Sequence, residues 1–141
     1  MVTTKNRELI FIAELANTVL SSKMFEESVG EVKTFTYTEY SGLDVIEDVL
    51  IAHRLFPLEL KFYTSFNPWS KAMAHVKKSQ PNVININSRK FHLRNDKEWA
   101  ACVVHELCHC AGFTHGSNKK TLKKLSSVPY KLQSIALDLM P

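Results

Sequence analysis

The chain has 141 residues and a mass of 16.1 kDa, room for one compact domain and little more. Apolar residues make up 45% and charged residues 23%, which excludes a disordered or collagen-like chain, and 4 Gly and 5 Pro are too few for a linker-rich one. Charge is uneven: residues 1–70 hold 6 Lys/Arg against 10 Asp/Glu, net −4, whereas residues 71–141 hold 12 against 4, net +8.

The N-terminus begins with polar residues, and Glu8 and Glu14 interrupt its apolar positions, so it lacks the apolar core and cleavage site of a signal peptide. No apolar run nears the roughly 20 residues of a membrane span. The expectation is a cytoplasmic monomer that begins near residue 1 and has no membrane partner. Thr3 or Thr4 can cap a first helix within residues 1–30, with Leu9, Ile12, Ala13, Ala16, Val19 and Leu20 on one face, ending before Gly30. Residues 32–38 are β-branched or aromatic at nearly every position and predict a strand. Ser41-Gly42 turns the chain into a second amphipathic helix over 44–55, which Pro57 stops. Three short strands follow at 58–64, 72–76 and 82–87, separated by Asn-Pro and Gln-Pro. A helix is expected over about 96–111 with Asn95 or Asp96 as N-cap, ended by Gly112 in the left-handed conformation. The lysine-rich stretch 116–125 reads as loop or a short helical turn. A last helix runs over about 129–139, opened by Pro129. The order gives an α+β fold, a small mixed β-sheet backed by helices, in one domain over 1–141.

The chemistry concentrates in the 96–111 helix, which reads His105-Glu106-Leu107-Cys108-His109. Positions four apart lie about 40° and one turn from each other, so both imidazoles leave one helix face and can share a Zn²⁺ at roughly 2.0–2.1 Å. Glu106 is rotated by about 100° from His105. It flanks the metal instead of binding it, the place for a general base. If Gly112 takes a positive φ, the chain reverses and His115 returns as the third ligand. Three His ligands leave a fourth position for water, the mark of a catalytic site. These five positions would coincide by chance in roughly 2 of 100,000 chains of this composition, so incidental histidines are a poor explanation. His53, His75 and His92 have no ligand spacing. Cys102, Cys108 and Cys110 crowd into nine residues, no disulfide framework, and fit a reducing compartment. Cys102 and Cys108 read as buried small hydrophobes near the motif, and Trp99, Phe91 and Phe113 as packing around its helix.

His105, Glu106, His109, Gly112 and His115 match HExxHxxGxxH, and in this the chain resembles the metzincin clan of zinc metallopeptidases. In that clan a Met-turn follows, in several families Ser-x-Met-x-Tyr. Ser126-Ser127-Val128-Pro129-Tyr130 resembles it, with Val in place of Met. The resemblance implies a metzincin-like zincin catalytic domain with one catalytic Zn²⁺ on His105, His109 and His115. It implies Glu106 as general base and acid, Val128 in the floor under the metal, and Tyr130 as a transition-state stabiliser. It also implies an antiparallel edge strand that pairs with a peptide or protein substrate, here 72–76. The expected activity is zinc-dependent hydrolysis of peptide bonds by an endopeptidase. Two other functions fit the same residues. One is a specialised intracellular protease acting on nucleic-acid-associated proteins through the basic half. The other is a zinc-stabilised binding module without turnover.

Overall fold

A computed structural model describes residues 1–116 and 121–141. Its four strands are β1 (Val2–Thr4), β2 (Leu58–Tyr63), β3 (Ala74–Lys77) and β4 (Gln80–Asn87), and its helices are α1 (Ile10–Leu20), α2 (Lys23–Gly30), α3 (Gly42–Leu55), α4 (Asp96–Cys110), α5 (Leu122–Leu125) and α6 (Val128–Leu139). The fold is α+β with one mixed sheet of order β1-β2-β4-β3. Strands β1, β2 and β4 run parallel, with Val2 opposite Leu58 and Leu60 opposite Ile84; β3 is antiparallel to β4 and forms an edge. Val83 to Asn87 are all buried, as befits a central strand covered on both faces. A single hydrophobic cluster joins the sheet to α1, α2, α3, α4 and α6. Within it α4 packs chiefly against α6 and α1.

Two expected elements differ. Thr3 and Thr4 do not cap a helix: with Val2 they form β1, and Thr4 Oγ1 donates to the Leu60 carbonyl at 2.8 Å. The helix expected within 1–30 is two helices. The apolar face runs on through Phe25 and Val29, but Ser22 breaks the backbone and caps α2 by accepting from the Phe25 amide at 3.1 Å. Leu9, Ile12, Ala13, Ala16, Val19 and Leu20 are all buried as expected.

No strand forms over 32–38. β1 already occupies the side of β2, and the segment lies against the C-terminal region, where the Thr36 amide donates to the Ser126 carbonyl at 3.1 Å. Tyr37 adopts a φ of 65°, which no strand tolerates, and Phe35 alone of the run is buried. High β-propensity in a segment that packs against the C-terminal region and not along a sheet edge gives extended coil.

The remaining elements fall close to their expected places. α3 begins at Gly42, where a Cβ would stand 2.1 Å from the Val29 carbonyl oxygen. Only glycine lets the end of α2 and the start of α3 approach so closely. In the 116–125 stretch, α5 supplies the short helix, and residues 117–120 lie outside the described residues. No described helix is long and apolar enough to cross a membrane.

Candidate metal centre

Helix α4 is built to be rigid. Asn95 accepts from the Glu98 amide at 2.8 Å while the Glu98 carboxylate accepts from the Asn95 amide at 3.1 Å, a reciprocal capping box. Trp99 is buried, stacks on Phe91 at 5.9 Å, and donates its indole N–H to the Phe91 carbonyl at 2.9 Å. The far end closes in a Schellman turn: the Gly112 amide donates to His109 and the Phe113 amide to Cys108, both at 3.0 Å. Gly112 takes a φ of 96°, as its place in that turn demands.

The same turn orients a ligand. Reversal at Gly112 brings the Phe113 carbonyl 2.7 Å from His109 Nδ1, which donates to it. His105 Nδ1 donates to Gln133 Oε1 on α6 at 2.9 Å. Each ring thus carries its proton on Nδ1, leaving the Nε2 lone pair for a metal. His115, beyond the helix, joins them. The ring centroids lie 5.0 Å apart for His105–His109, 5.1 Å for His105–His115 and 4.8 Å for His109–His115.

One donor atom from each histidine lies within 4.8 Å of the other two. A tetrahedral zinc with 2.0–2.1 Å bonds sets its nitrogens about 3.4 Å apart, so modest ring rotations close the site. His115 Nδ1 is buried and finds no hydrogen-bond partner among the described residues, an open valence of the kind a bound group completes. Burial pushes the His105 pKa from 6.5 to about 3, helped by the neighbouring His109, His115 and Lys124 and opposed by the Gln133 bond. Burial, His109 and Lys124 also lower that of His115. Neutral imidazoles are what a divalent ion requires, so the donor set fits a metal.

Glu106 stands outside the ligand set. Burial raises its carboxyl pKa above the ordinary 4.5, with His109 pulling the other way. Tyr130, in the first turn of α6, packs edge-on to His105 at 4.6 Å and beside His115 at 5.1 Å. The structure therefore brings Tyr130 to the histidines. Val128 is buried at the start of the same helix. Cys108 is buried within α4, and Cys102 Sγ meets Arg94 Nη1 at 2.8 Å. Phe113 packs against Tyr40 at 6.0 Å. His53 bonds Asn17 Oδ1 at 2.9 Å, away from the cluster.

No known protein family, curated protein or solved structure matches the chain. The geometry therefore stands on its own.

Two residues at the site were not anticipated from the sequence. Gln133, which fixes His105, lies three positions after Tyr130 and so shares its helix face, a polar residue between the buried Leu132 and Ala136. Lys124, on α5, is buried with its Nζ over the Tyr130 ring, 5.5 Å from the centroid. Its surroundings give it away only in three dimensions, because the neighbouring Lys123 is exposed.

Proposed function

We propose that this protein is a zinc-dependent peptidase of the metzincin kind, cleaving within peptide chains. The observation that carries the reading is the convergence of His105, His109 and His115 with two of the rings locked by Nδ1 hydrogen bonds, beside a buried Glu106 that is outside the ligand set and close enough to His109 to feel its charge. Zinc, when bound, supplies Lewis-acid activation of water and of the scissile carbonyl. Glu106 accepts the water's proton and returns it to the leaving amine. Its raised pKa brings it closer to the operating pH, where a base that must become an acid works best. Gln133 and the Phe113 carbonyl hold two imidazoles in one tautomer and one orientation. The packing of the Tyr130 ring on two of the ligands supports a role for its hydroxyl in stabilising developing negative charge.

The edge position and antiparallel direction of β3 support binding of an extended peptide as an additional strand. The run of strands before the motif helix also supports the resemblance, whereas Val128, Pro129 and Tyr130 of the Ser-Ser-Val-Pro-Tyr segment form the first turn of α6. Val128 is apolar and buried where the clan has methionine, as a floor residue must be.

The test is metal analysis of the purified protein together with cleavage of a broad peptide library, wild type beside Glu106→Ala. One zinc per chain, with cleavage abolished in the variant, is the expected result. Zinc retained by both proteins with no cleavage by either shifts the reading to a binding module. A chain that takes up no zinc refutes the metal centre itself.

A further inference from the structure

We propose that Lys124 anchors a substrate carboxylate, so that the metal centre selects peptides carrying a carboxylate one to two residues from the scissile bond. This rests on the peptidase reading above and adds a substrate class to it.

Lys124 is only 6% exposed, rare for a lysine. Its stem is packed into the protein, while its Nζ is not among the buried side-chain atoms that lack a partner, so the charge is held in place without being sealed from water. No carboxylate pairs with it among the described residues, whose ion pairs are Lys23–Glu27 and Lys61–Glu59, so the charge is free to meet an anion from outside. The backbone at this point is pinned. Thr121 Oγ1 accepts from the Lys124 amide at 3.2 Å, and the Lys124 carbonyl accepts from the Ser127 amide at 3.1 Å and the Ser127 hydroxyl at 2.6 Å. Ser127 is itself fully buried. The turn joining α5 to α6 thus fixes where the lysine starts.

The ammonium ends over Tyr130, 5.5 Å from the centroid of the ring that His105 and His115 flank at 4.6 and 5.1 Å. It therefore stands about one aromatic ring away from the ligands. Extended peptide advances about 3.3–3.6 Å per residue, so one or two residues carry a chain from the scissile carbonyl across that offset. A transition-state oxyanion belongs beside the metal and Tyr130; a cation displaced by a ring suits a fixed charge on the substrate. The carboxylate can be a chain terminus or an Asp or Glu side chain.

Three probes separate these: Ala-Ala-Ala with a free carboxylate, its C-terminal amide, and Ala-Asp-Ala amide. Binding is measured by calorimetry on zinc-loaded Glu106→Gln protein, so that nothing is consumed, with and without Lys124→Met or Lys124→Arg. The expected result is that a carboxylate probe binds on the order of 10-fold tighter than the neutral amide. Lys124→Met removes the gap with zinc content unchanged, and Lys124→Arg keeps most of it. Tight binding of the free acid alone assigns a chain terminus; tight binding of the aspartyl peptide assigns a side chain. Equal binding of all three probes, binding of none, or a gap that survives Lys124→Met overturns the proposal. Lys124→Gln replaces Lys124→Met if the latter does not fold. Failure of the peptidase reading looks different: the Lys124-dependent gap is present, zinc is bound, and protein with Glu106 intact cleaves nothing.

Discussion

Replacing Gln133 by alanine separates a positioned metal ligand from a merely adjacent histidine. In the wild type, Gln133 Oε1 lies 2.9 Å from His105 Nδ1, and His105 is 7% exposed, so water cannot easily take over the bond. The deletion leaves a buried N–H without its acceptor, which costs about 1–3 kcal/mol if nothing rearranges. Alanine returns a few tenths of a kcal/mol to α6 through its better helix propensity. The net loss of metal-free stability should thus be about 1–2 kcal/mol. The larger effect falls on metal binding. Once unlocked, the His105 ring samples other orientations and both tautomers, and loss of such an orienting partner lowers metal affinity about 10–100-fold, or roughly 1.4–2.7 kcal/mol. Gln133→Glu keeps an acceptor at the same reach and should bind zinc at least as well as wild type. Competition against a zinc chelator of known affinity measures all three proteins. An affinity of Gln133→Ala within twofold of wild type, with the variant folded, would refute the reasoning.

The metal-free protein should lose stability in acid. His105 titrates at about 3 in the folded chain and at its ordinary 6.5 when unfolded, so between those values the unfolded chain binds the extra proton and stability falls as pH drops. The full window is worth up to about 5 kcal/mol; His115 adds in the same direction, and Glu106, whose raised pKa acts oppositely above 4.5, trims the slope. Urea midpoints of chelator-treated protein at pH 7 and pH 4.5, compared with a flatter dependence in His105→Gln, check this. Gly112→Ala meets no atom within 4 Å of the new Cβ, so its cost is backbone strain at φ 96°, about 1–2 kcal/mol, with weaker zinc binding through displacement of the Phe113 carbonyl and His115. Urea unfolding and zinc titration together detect it; an unchanged zinc affinity would show that the turn does not position the ligands.

Much of this arrangement is legible in the sequence because it is local. The His105, Glu106 and His109 spacing, the Asn95 cap, Gly112 after the helix and Pro129 opening α6 all act within a turn of the residue they control. β4 announces itself by its β-branched Val83, Ile84 and Ile86, and β2 by its alternating leucines and aromatic Phe62 and Tyr63, with Asn-Pro and Gln-Pro between the strand segments. What fails to read is decided by partners remote in the chain. Val2–Thr4 is a strand because Leu58–Leu60 offers it an edge, and 32–38 is not one because that edge is taken. The break at Ser22 is hidden because the apolar face continues across it. Gln133 reaches His105 from α6 and Lys124 reaches the Tyr130 ring from α5, and no pattern within one element discloses which polar residue will face which site.

The way the centre is attached to the fold bears on its use. A structural zinc site replaces a core, and its chain unfolds without metal. Here one hydrophobic cluster already unites the sheet with α1, α2, α3, α4 and α6. Helix α4 is stiffened at both ends by its own caps. Two ligands are therefore fixed by bonds that need no ion, and the third arrives on the segment that Gly112 turns back. A site built without the ion would leave a bound metal little folding work to do. The preorganised, neutral, partly buried donors instead leave its binding energy and open coordination available for chemistry, which supports the catalytic reading over the structural one.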